Sequence, residues 1–418
     1  MKTCIWGFGS SGKSAYKLMK RLGYKTFLID KKFENEHLLP LFERIIISPG
    51  IPLNHPILKK LKEKEKIIIP ELDLGLNYIG GKIIGITGTN GKTTTSYITY
   101  NILKNSEKEE KIYLAGNIGT PLTKFAFRKG IFVIETSSFQ LHFTKKFKPY
   151  IACITNISED HLDSHNSFEE YIKDKLKIAE NMDRKSFLIL NYDDKNLRKR
   201  KFKNTNVMYV SLSKEVEGIY YRGGKYYINF GNIKEEIEDD FKQFYGEGNK
   251  YNIAFSILIS YLMGVEKNKI YETIRKLSPL PHRLEVVKKE KGVFWINDSK
   301  STNPHSVLFA LKSFKNKDII LILGGKSKNV SFEILNKEIK KKVKKIITYG
   351  EGGEILENYF KGIKEVKRVF TLKEAVEECK KIAKKGDVIL FSPGLSSFDQ
   401  YKNYAERGED FRRWVKKD

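Results

Sequence analysis

Ile83-Ile84-Gly85-Ile86-Thr87-Gly88-Thr89-Asn90-Gly91-Lys92-Thr93-Thr94 reads as a buried strand running into a glycine-bounded loop, then a lysine and two hydroxyl residues that open a helix. Such a turn holds a polyphosphate. Glycines let backbone N–H groups close around anionic oxygens, Lys92 reaches the outer phosphates, Thr93 can ligate Mg²⁺, and the helix N-terminus adds partial positive charge. The loop is the short Gly-Thr-x-Gly-Lys-Thr form: the position where the common phosphate loop has its first glycine is Ile86. Gly88, Thr89, Asn90, Gly91, Lys92, Thr93 and Thr94 are therefore the candidate triphosphate cradle.

Working outward, the 418 residues exceed the ~250 to 300 at which single cores stop growing. Three domains are expected, at 1–80, 81–279 and 280–418. Hydrophobic residues at 40% and aromatics at 12% are ordinary for a globular protein and argue against extended disorder. The formal charge of +26 lies in runs such as Lys59-Lys60-Leu61-Lys62-Glu63-Lys64 and Lys340-Lys341-Lys342-Val343-Lys344-Lys345, which read as solvated helix faces rather than a nucleic-acid groove. Anionic small substrates fit the sign equally well. Cys4, Cys153 and Cys379 are far apart and support neither a disulfide framework nor a metal knuckle. No apolar run approaches the ~18 residues of a membrane span, and Met1-Lys2 leads straight into a strand without a signal-peptide core. A soluble cytoplasmic protein is expected, a monomer without nucleic-acid or membrane partner.

The opening segment alternates strand and helix. Thr3 to Trp6 reads as a strand, Gly7-Phe8-Gly9-Ser10-Ser11-Gly12 as a tight turn, Lys13 to Leu22 as a helix, and Tyr24 to Ile29 as a strand ending at Asp30. Gly-x-Gly-x-x-Gly with an acid about 20 residues on is the dinucleotide fingerprint, so a nicotinamide dehydrogenase has to be considered. The same turn seats any nucleotide diphosphate, and no hydride-transfer site follows.

From Lys82 onward each apolar strand ends in a polar motif: Gly116-Asn117-Ile118-Gly119, Glu135-Thr136-Ser137-Ser138-Phe139-Gln140, and Asn156-Ile157-Ser158-Glu159-Asp160-His161. Continuous apolar strands alternating with helices imply a parallel sheet covered on both faces, with ligands beyond the carboxyl ends of the strands. After Pro279-Leu280-Pro281 a further set of strands, Val293 to Ile296, Ile319 to Leu323, Lys345 to Thr348 and Val388 to Phe391, looks doubly wound again. The fold class is α/β in three domains: an N-terminal Rossmann-like nucleotide-binding domain, a central P-loop ATPase-like parallel sheet, and a C-terminal Rossmann-like domain.

Ser167-Phe168-Glu169-Glu170 is a capping box that starts a helix. Its apolar stripe, Phe168, Tyr171, Ile172, Leu176 and Ala179, has Lys175 in its midst. A lysine on a buried stripe must snorkel, find an anion, lose its proton or be covalently changed. Carbamylation by CO₂ would turn this cation into a carboxylate suited to Mg²⁺.

Gly88-Thr89-Asn90-Gly91-Lys92-Thr93, Glu135-Thr136-Ser137-Ser138-Phe139-Gln140-Leu141, Asn156 to Asp163, Pro281-His282-Arg283-Leu284-Glu285 and Asn297 to Asn303 together resemble the Mur ligases of peptidoglycan synthesis, in order and over the whole chain. Within the family, the Ser-Ser-Phe-Gln-Leu ending, Ser392 to Tyr404 and Arg407-Gly408 look like the member that adds D-glutamate. The resemblance implies ATP-dependent ligation of D-glutamate to UDP-N-acetylmuramoyl-L-alanine through an acyl phosphate.

On that resemblance Lys92 and Thr93 hold the ATP phosphates and a first Mg²⁺, and Glu135, His161 and a carbamylated Lys175 surround a second Mg²⁺. Asn249, Asn252, Arg283 and Asp298 match positions at the adenosine end; the two asparagines also read as ordinary helix-start residues. Ser10, Ser11, Lys31 and Lys32 fall where the family grips uracil and diphosphate, and Asn117 and Ser138 where it meets the UDP-sugar. Lys300, Thr302, Lys328, Ser397, Phe398 and Tyr404 lie where D-glutamate is bound, although Gly324-Gly325-Lys326-Ser327-Lys328 offers two lysines for one role. A folylpolyglutamate synthase shares the phosphate loop but lacks a nucleotide turn ahead of it; the diaminopimelate- or lysine-adding Mur ligase usually carries an Asp-Asn-Pro-Arg-like motif, absent from this sequence, and the L-alanine-adding member is normally longer and lacks the Ser-Phe-Asp-Gln ending.

Overall fold

In the computed structural model, which describes residues 2–159, 165, 167–314, 318–327 and 330–417, the strands gather into three sheets, matching the three expected domains in number. The first comprises β1 (Thr3–Trp6), β2 (Thr26–Ile29), β3 (Arg44–Ile47) and β4 (Ile67–Pro70), all parallel, in the order β2-β1-β3-β4. Both faces are covered: Cys4 and Trp6 of β1 face one apolar cluster and Ile5 the other. That two-sided burial is why Cys4, Ile5 and Trp6 form a continuous apolar run instead of alternating.

The second sheet contains β5 (Gly80–Thr87), β6 (Ile112–Gly116), β7 (Lys129–Glu135), β8 (Ile151–Ile154), β9 (Phe187–Asn191), β10 (Asn206–Ser211), β11 (Gly218–Arg222), β12 (Lys225–Phe230) and β13 (Ile233–Glu238). Its order is β13-β12-β11-β10-β9-β8-β5-β7-β6. The strands from β6 through β11 are parallel, whereas β11, β12 and β13 form an antiparallel meander. The fully parallel sheet read from sequence is therefore incomplete. The meander alternates buried Tyr226 and Ile228 with more exposed residues, as a sheet with one wet face does. β5 runs on to β6 on one side, and the chain later crosses to β8 on the other, so a topological switch point lies at the carboxyl end of β5.

A buried carboxylate ties the first two sheets together. Glu71, on the helix Glu71–Leu76 that precedes β5, accepts from the Thr123 backbone N–H at 2.8 Å and the Thr123 hydroxyl at 2.6 Å. Burial raises the Glu71 carboxyl above its ordinary value, against those bonds.

The third sheet comprises β14 (Glu285–Glu290), β15 (Val293–Asn297), β16 (Ile319–Gly324), β17 (Val343–Tyr349), β18 (Val366–Arg368) and β19 (Val388–Gly394), in the order β14-β15-β19-β16-β17-β18. All its pairings are parallel except β14 with β15. Ile319, Leu321 and Leu323 of β16 face one core and Ile320 and Ile322 the other, the doubly wound pattern anticipated. The strands β14 and β18 escaped the sequence reading because their lysine-rich pattern lacks an apolar run.

By contacts the chain divides into two compact units, Met1–Asp239 with Tyr251–Lys276, and Asp240–Lys250 with Leu277–Asp418. The first holds the first two sheets. Cys4 in β1, Cys153 in β8 and Cys379 in the helix Leu372–Ile382 are free and buried. Burial pushes the Cys4 thiol up to about 12 and raises the other two as well.

Candidate active site

The phosphate loop leaves β5 and enters the helix Lys92–Lys104, whose N-cap Gly91 supplies no side-chain bond to the first turn. Gly88 has φ 146° and Gly91 φ 87°. A Cβ at Gly88 would run into Thr155 Oγ1, and one at Gly91 into Asn252 Oδ1, so both positions need glycine for backbone shape and for space. The segment after β8 moulds the loop: Thr89 N–H donates to the Asn156 carbonyl at 2.8 Å, Asn90 N–H to Asn156 Oδ1 at 2.9 Å, and Thr155 Oγ1 to the Asn90 carbonyl at 2.6 Å. Asn252 Oδ1 accepts from Thr95 Oγ1 at 3.2 Å, which places this sequence-predicted residue beside the loop.

Lys92 Nζ donates to the Gly88 and Thr89 carbonyls, each at 2.8 Å. Lys175 is 1% exposed, and its Nζ donates to the same Gly88 carbonyl at 2.8 Å while lying 4.6 Å over the Tyr171 ring. The lysine on the apolar stripe therefore turns inward and does not snorkel. Ser167 caps its helix by accepting from Glu170 N–H at 3.1 Å, as the sequence motif requires. Two ammonium groups share one carbonyl oxygen at the root of the phosphate loop, and this concentration of positive charge suits a polyphosphate.

Strand register brings the next residues in. Glu135 pairs with Ile86 on one side and Gly116 on the other. Asn117 N–H donates to the Glu135 carbonyl and its Nδ2 to Glu135 Oε1, both at 2.8 Å. Glu135 is 1% exposed, and its Oε2 has no hydrogen-bond partner among the described residues. A buried carboxylate oxygen left over in this way fits a cation ligand, and Mg²⁺ prefers such oxygens. Among the described residues no group of three or more His, Cys, Asp or Glu side chains is arranged to hold a metal. His161 and Lys328 lie outside the described residues.

Three residues missed by the sequence reading surround Ser138. Ser138 Oγ lies 3.0 Å from His165 Nε2, His165 Nδ1 is 3.4 Å from Asp174 Oδ2, and His142 Nδ1 is 2.8 Å from that same oxygen. Burial would raise the Asp174 carboxyl, but bonds from the two histidines and the charges of His142 and Lys177 outweigh it and hold the group at about 2. Asp174 adjoins Lys175 in sequence; a search restricted to apolar positions passes over it. His142 stands four residues after Ser138, one turn along the same short helix, which was a usable signal.

In the first sheet, Ser10 begins the helix Ser10–Arg21 directly after the glycine turn, with Ser11 beside it, and Lys31 and Lys32 are exposed on a short turn capped by Asp30. Asp30 accepts from Phe8 N–H at 2.6 Å and from Lys32 N–H at 3.0 Å. These backbone bonds lower its carboxyl and commit it to shaping the turn.

In the second unit, Lys300 Nζ sits 4.1 Å over the Tyr404 ring, and Lys326 N–H donates to the Ser396 carbonyl at 2.8 Å, next to buried Ser397. Phe398 is 66% exposed, and Thr302 is half-buried ahead of the helix Pro304–Lys312. Asn249 donates to the Tyr245 carbonyl at 2.8 Å. Asp298 accepts from Ser301 Oγ at 2.6 Å, Ser392 Oγ at 2.9 Å and Leu284 N–H at 3.2 Å, with the Arg283 charge close by.

Burial lifts the Asp298 carboxyl to about 6 despite those bonds. The folded state therefore binds this proton more tightly than the unfolded chain, whose value is ~3.9, and stability declines as pH rises from about 4 to about 6. Urea unfolding across that window is expected to show wild type losing ~3 kcal/mol relative to Asp298→Asn. Parallel curves for the two proteins would contradict a buried acid here.

Residues 86–260 match the Mur ligase middle domain, and residues 282–395 match the Mur ligase glutamate ligase domain. The chain is 39% identical to UDP-N-acetylmuramoylalanine--D-glutamate ligase of Aquifex aeolicus (strain VF5) over 420 residues, covering 99% of this chain and 98% of the relative. It is 33% identical to the ligase of the same name from Clostridioides difficile (strain 630), covering 98% and 97%. Among solved structures, a pseudomurein peptide ligase type C from Methanothermus fervidus superposes with a TM-score of 0.61 at 19% identity, covering 94% of this chain and 96% of that one. MurF ligase from Thermotoga maritima in complex with ADP gives 0.60 at 20%, covering 92% and 91%. At these identities the structural likeness speaks for the fold.

Proposed function

Because the chain belongs to the Mur ligase family of ATP-dependent ligases, we propose that it joins D-glutamate to UDP-N-acetylmuramoyl-L-alanine in peptidoglycan precursor synthesis. The observation that carries the reading is the meeting, at the carboxyl ends of β5 and β7, of the phosphate loop, a carboxylate with a spare buried oxygen, and a buried lysine bonded to the loop itself.

The γ-phosphoryl group of ATP passes to a carboxylate oxygen of the L-alanyl residue, releasing ADP and leaving an acyl phosphate. The amine of D-glutamate attacks the acyl carbon and loses a proton, the bond from that carbon to the phosphate oxygen breaks, and an amide and inorganic phosphate result. Positioning and neutralisation of charge dominate such chemistry. Lys92, Thr93 and the loop N–H groups of residues 88–94 hold the triphosphate, and Asn252 supports the loop from behind. Asn249, Arg283 and Asp298 serve the nucleoside end. Ser10, Ser11, Lys31 and Lys32 grip the uridine diphosphate, and Asn117 and Ser138 the sugar acid. Lys300, Thr302, Lys328, Ser397, Phe398 and Tyr404 receive D-glutamate.

Thr93, Glu135, His161 and Lys175 are the residues that would hold two Mg²⁺ ions, which supply charge neutralisation at the reacting phosphate and carboxylate. Lys175 suits that set only as a carbamate, since an ammonium has no lone pair to give. We further assign domain limits of 1–80, 81–279 and 280–418, and a cytoplasmic monomer.

The test is phosphate release from ATP by the purified protein. Release that requires both UDP-N-acetylmuramoyl-L-alanine and D-glutamate is expected; release with neither, or with a folate in place of the sugar nucleotide, would overturn the assignment.

A further inference from the structure

One large buried cation has no part in the chemistry above. Arg407, in the first turn of the helix Tyr404–Lys416, is 0% exposed. Its Nε donates to Ser299 Oγ at 3.1 Å, its Nη2 to the Ser299 carbonyl at 2.8 Å, and its Nη1 to the Leu395 carbonyl at 3.0 Å. Ser299 Oγ passes the connection on, donating to the Tyr404 carbonyl at 2.8 Å. One guanidinium thus fastens three segments: the turn after β15 that carries Lys300, distant in sequence, the turn after β19 that carries Ser397, and the start of the last helix, where Tyr404 lies under the Lys300 ammonium.

These acceptors are all neutral oxygens. Burying a guanidinium without a carboxylate is costly, and an apolar residue of similar volume would serve packing at lower cost. The planar fork of arginine does what an apolar residue or a lysine cannot: it fixes several acceptors in one plane at set angles.

We infer that Arg407 is a positioning residue for the incoming amino acid, setting the relative placement of Lys300, Ser397 and Tyr404. The inference rests on the assignment of those three residues to D-glutamate. It predicts a defect confined to one substrate.

Steady-state kinetics of the full chain with all three substrates test it, using Arg407→Met, Arg407→Lys, Ser299→Ala and, as a reference, Lys300→Ala. Arg407→Met is expected to raise KM for D-glutamate about tenfold or more while KM for ATP and for the UDP-sugar stays within about twofold. Arg407→Lys should recover part of that loss, and Ser299→Ala, which keeps the carbonyl acceptor, should raise KM for D-glutamate about threefold. If Arg407→Met does not melt cooperatively, Ser299→Ala and Arg407→Lys decide the matter: an unchanged KM for D-glutamate in both overturns the role. So does a parallel rise in all three KM values. Should Lys300→Ala also leave KM for D-glutamate unmoved, or wild type turn over without D-glutamate, the assignment of the pocket fails, a result distinct from failure at Arg407 alone.

Discussion

Lys92→Met is expected to lower kcat by 10² to 10³, about 3–4 kcal/mol of barrier, while the protein melts as a folded chain. The side chain is half-buried and its Nζ donates to the loop carbonyls of Gly88 and Thr89. Those carbonyls belong to the turn whose shape is fixed independently by Thr155 and Asn156. Removing the ammonium therefore spares the scaffold and strips the positive charge that meets the transferring phosphoryl group. Initial rates at saturating substrates, together with a thermal melt, check this. Retention of more than about a tenth of the wild-type rate, a loss under ~1.4 kcal/mol, would remove Lys92 from the catalytic list.

Lys175→Ala is expected to be of similar severity, and its rescue identifies the chemical form of the side chain. A carbamate is an anion at the end of a lysine stem, so acetate or propionate diffusing into the space should restore part of the rate. An unmodified ammonium predicts rescue by short alkylamines instead. Native mass spectrometry of protein kept in bicarbonate gives a second reading, an added mass of one CO₂. Two ammonium groups bonded to the one Gly88 carbonyl repel each other in a buried setting, and carbamylation converts that repulsion to attraction. Glu135→Ala should be comparably damaging, because it removes the buried oxygen that has no hydrogen-bond partner among the described residues.

Features confined to short stretches of chain were legible in the sequence. The apolar strands of the parallel core, the glycine loop and the cap at Ser167 depend on local pattern, and each was found within a few residues of its place. Lys175 was conspicuous because helical periodicity set it among Tyr171, Ile172 and Leu176, but its target, the Gly88 carbonyl, stands 87 positions away and no periodicity points there. Asn252 and Arg407 were named from the sequence, but their contacts, behind Gly91 for the one and between Ser299 and Leu395 for the other, were hidden for the same reason. The meander β11–β13 was missed on different grounds. Its tyrosines and charged residues alternate across a half-wet sheet, a weaker signal than a continuous apolar run. Asp174 shows the limit of reading apolar positions alone, since a carboxylate held between two histidines is as buried as Tyr171 and Ile172 on the same helix.

The cysteines form an unplanned set of probes. One lies in the first sheet, one in the second and one against the third, and none is accessible to solvent or ready to ionise while its surroundings are intact. A maleimide added to the folded enzyme has nothing to attack, so each adduct marks the opening of one particular layer, and peptide mapping of the label would time the three layers separately within a single unmodified chain.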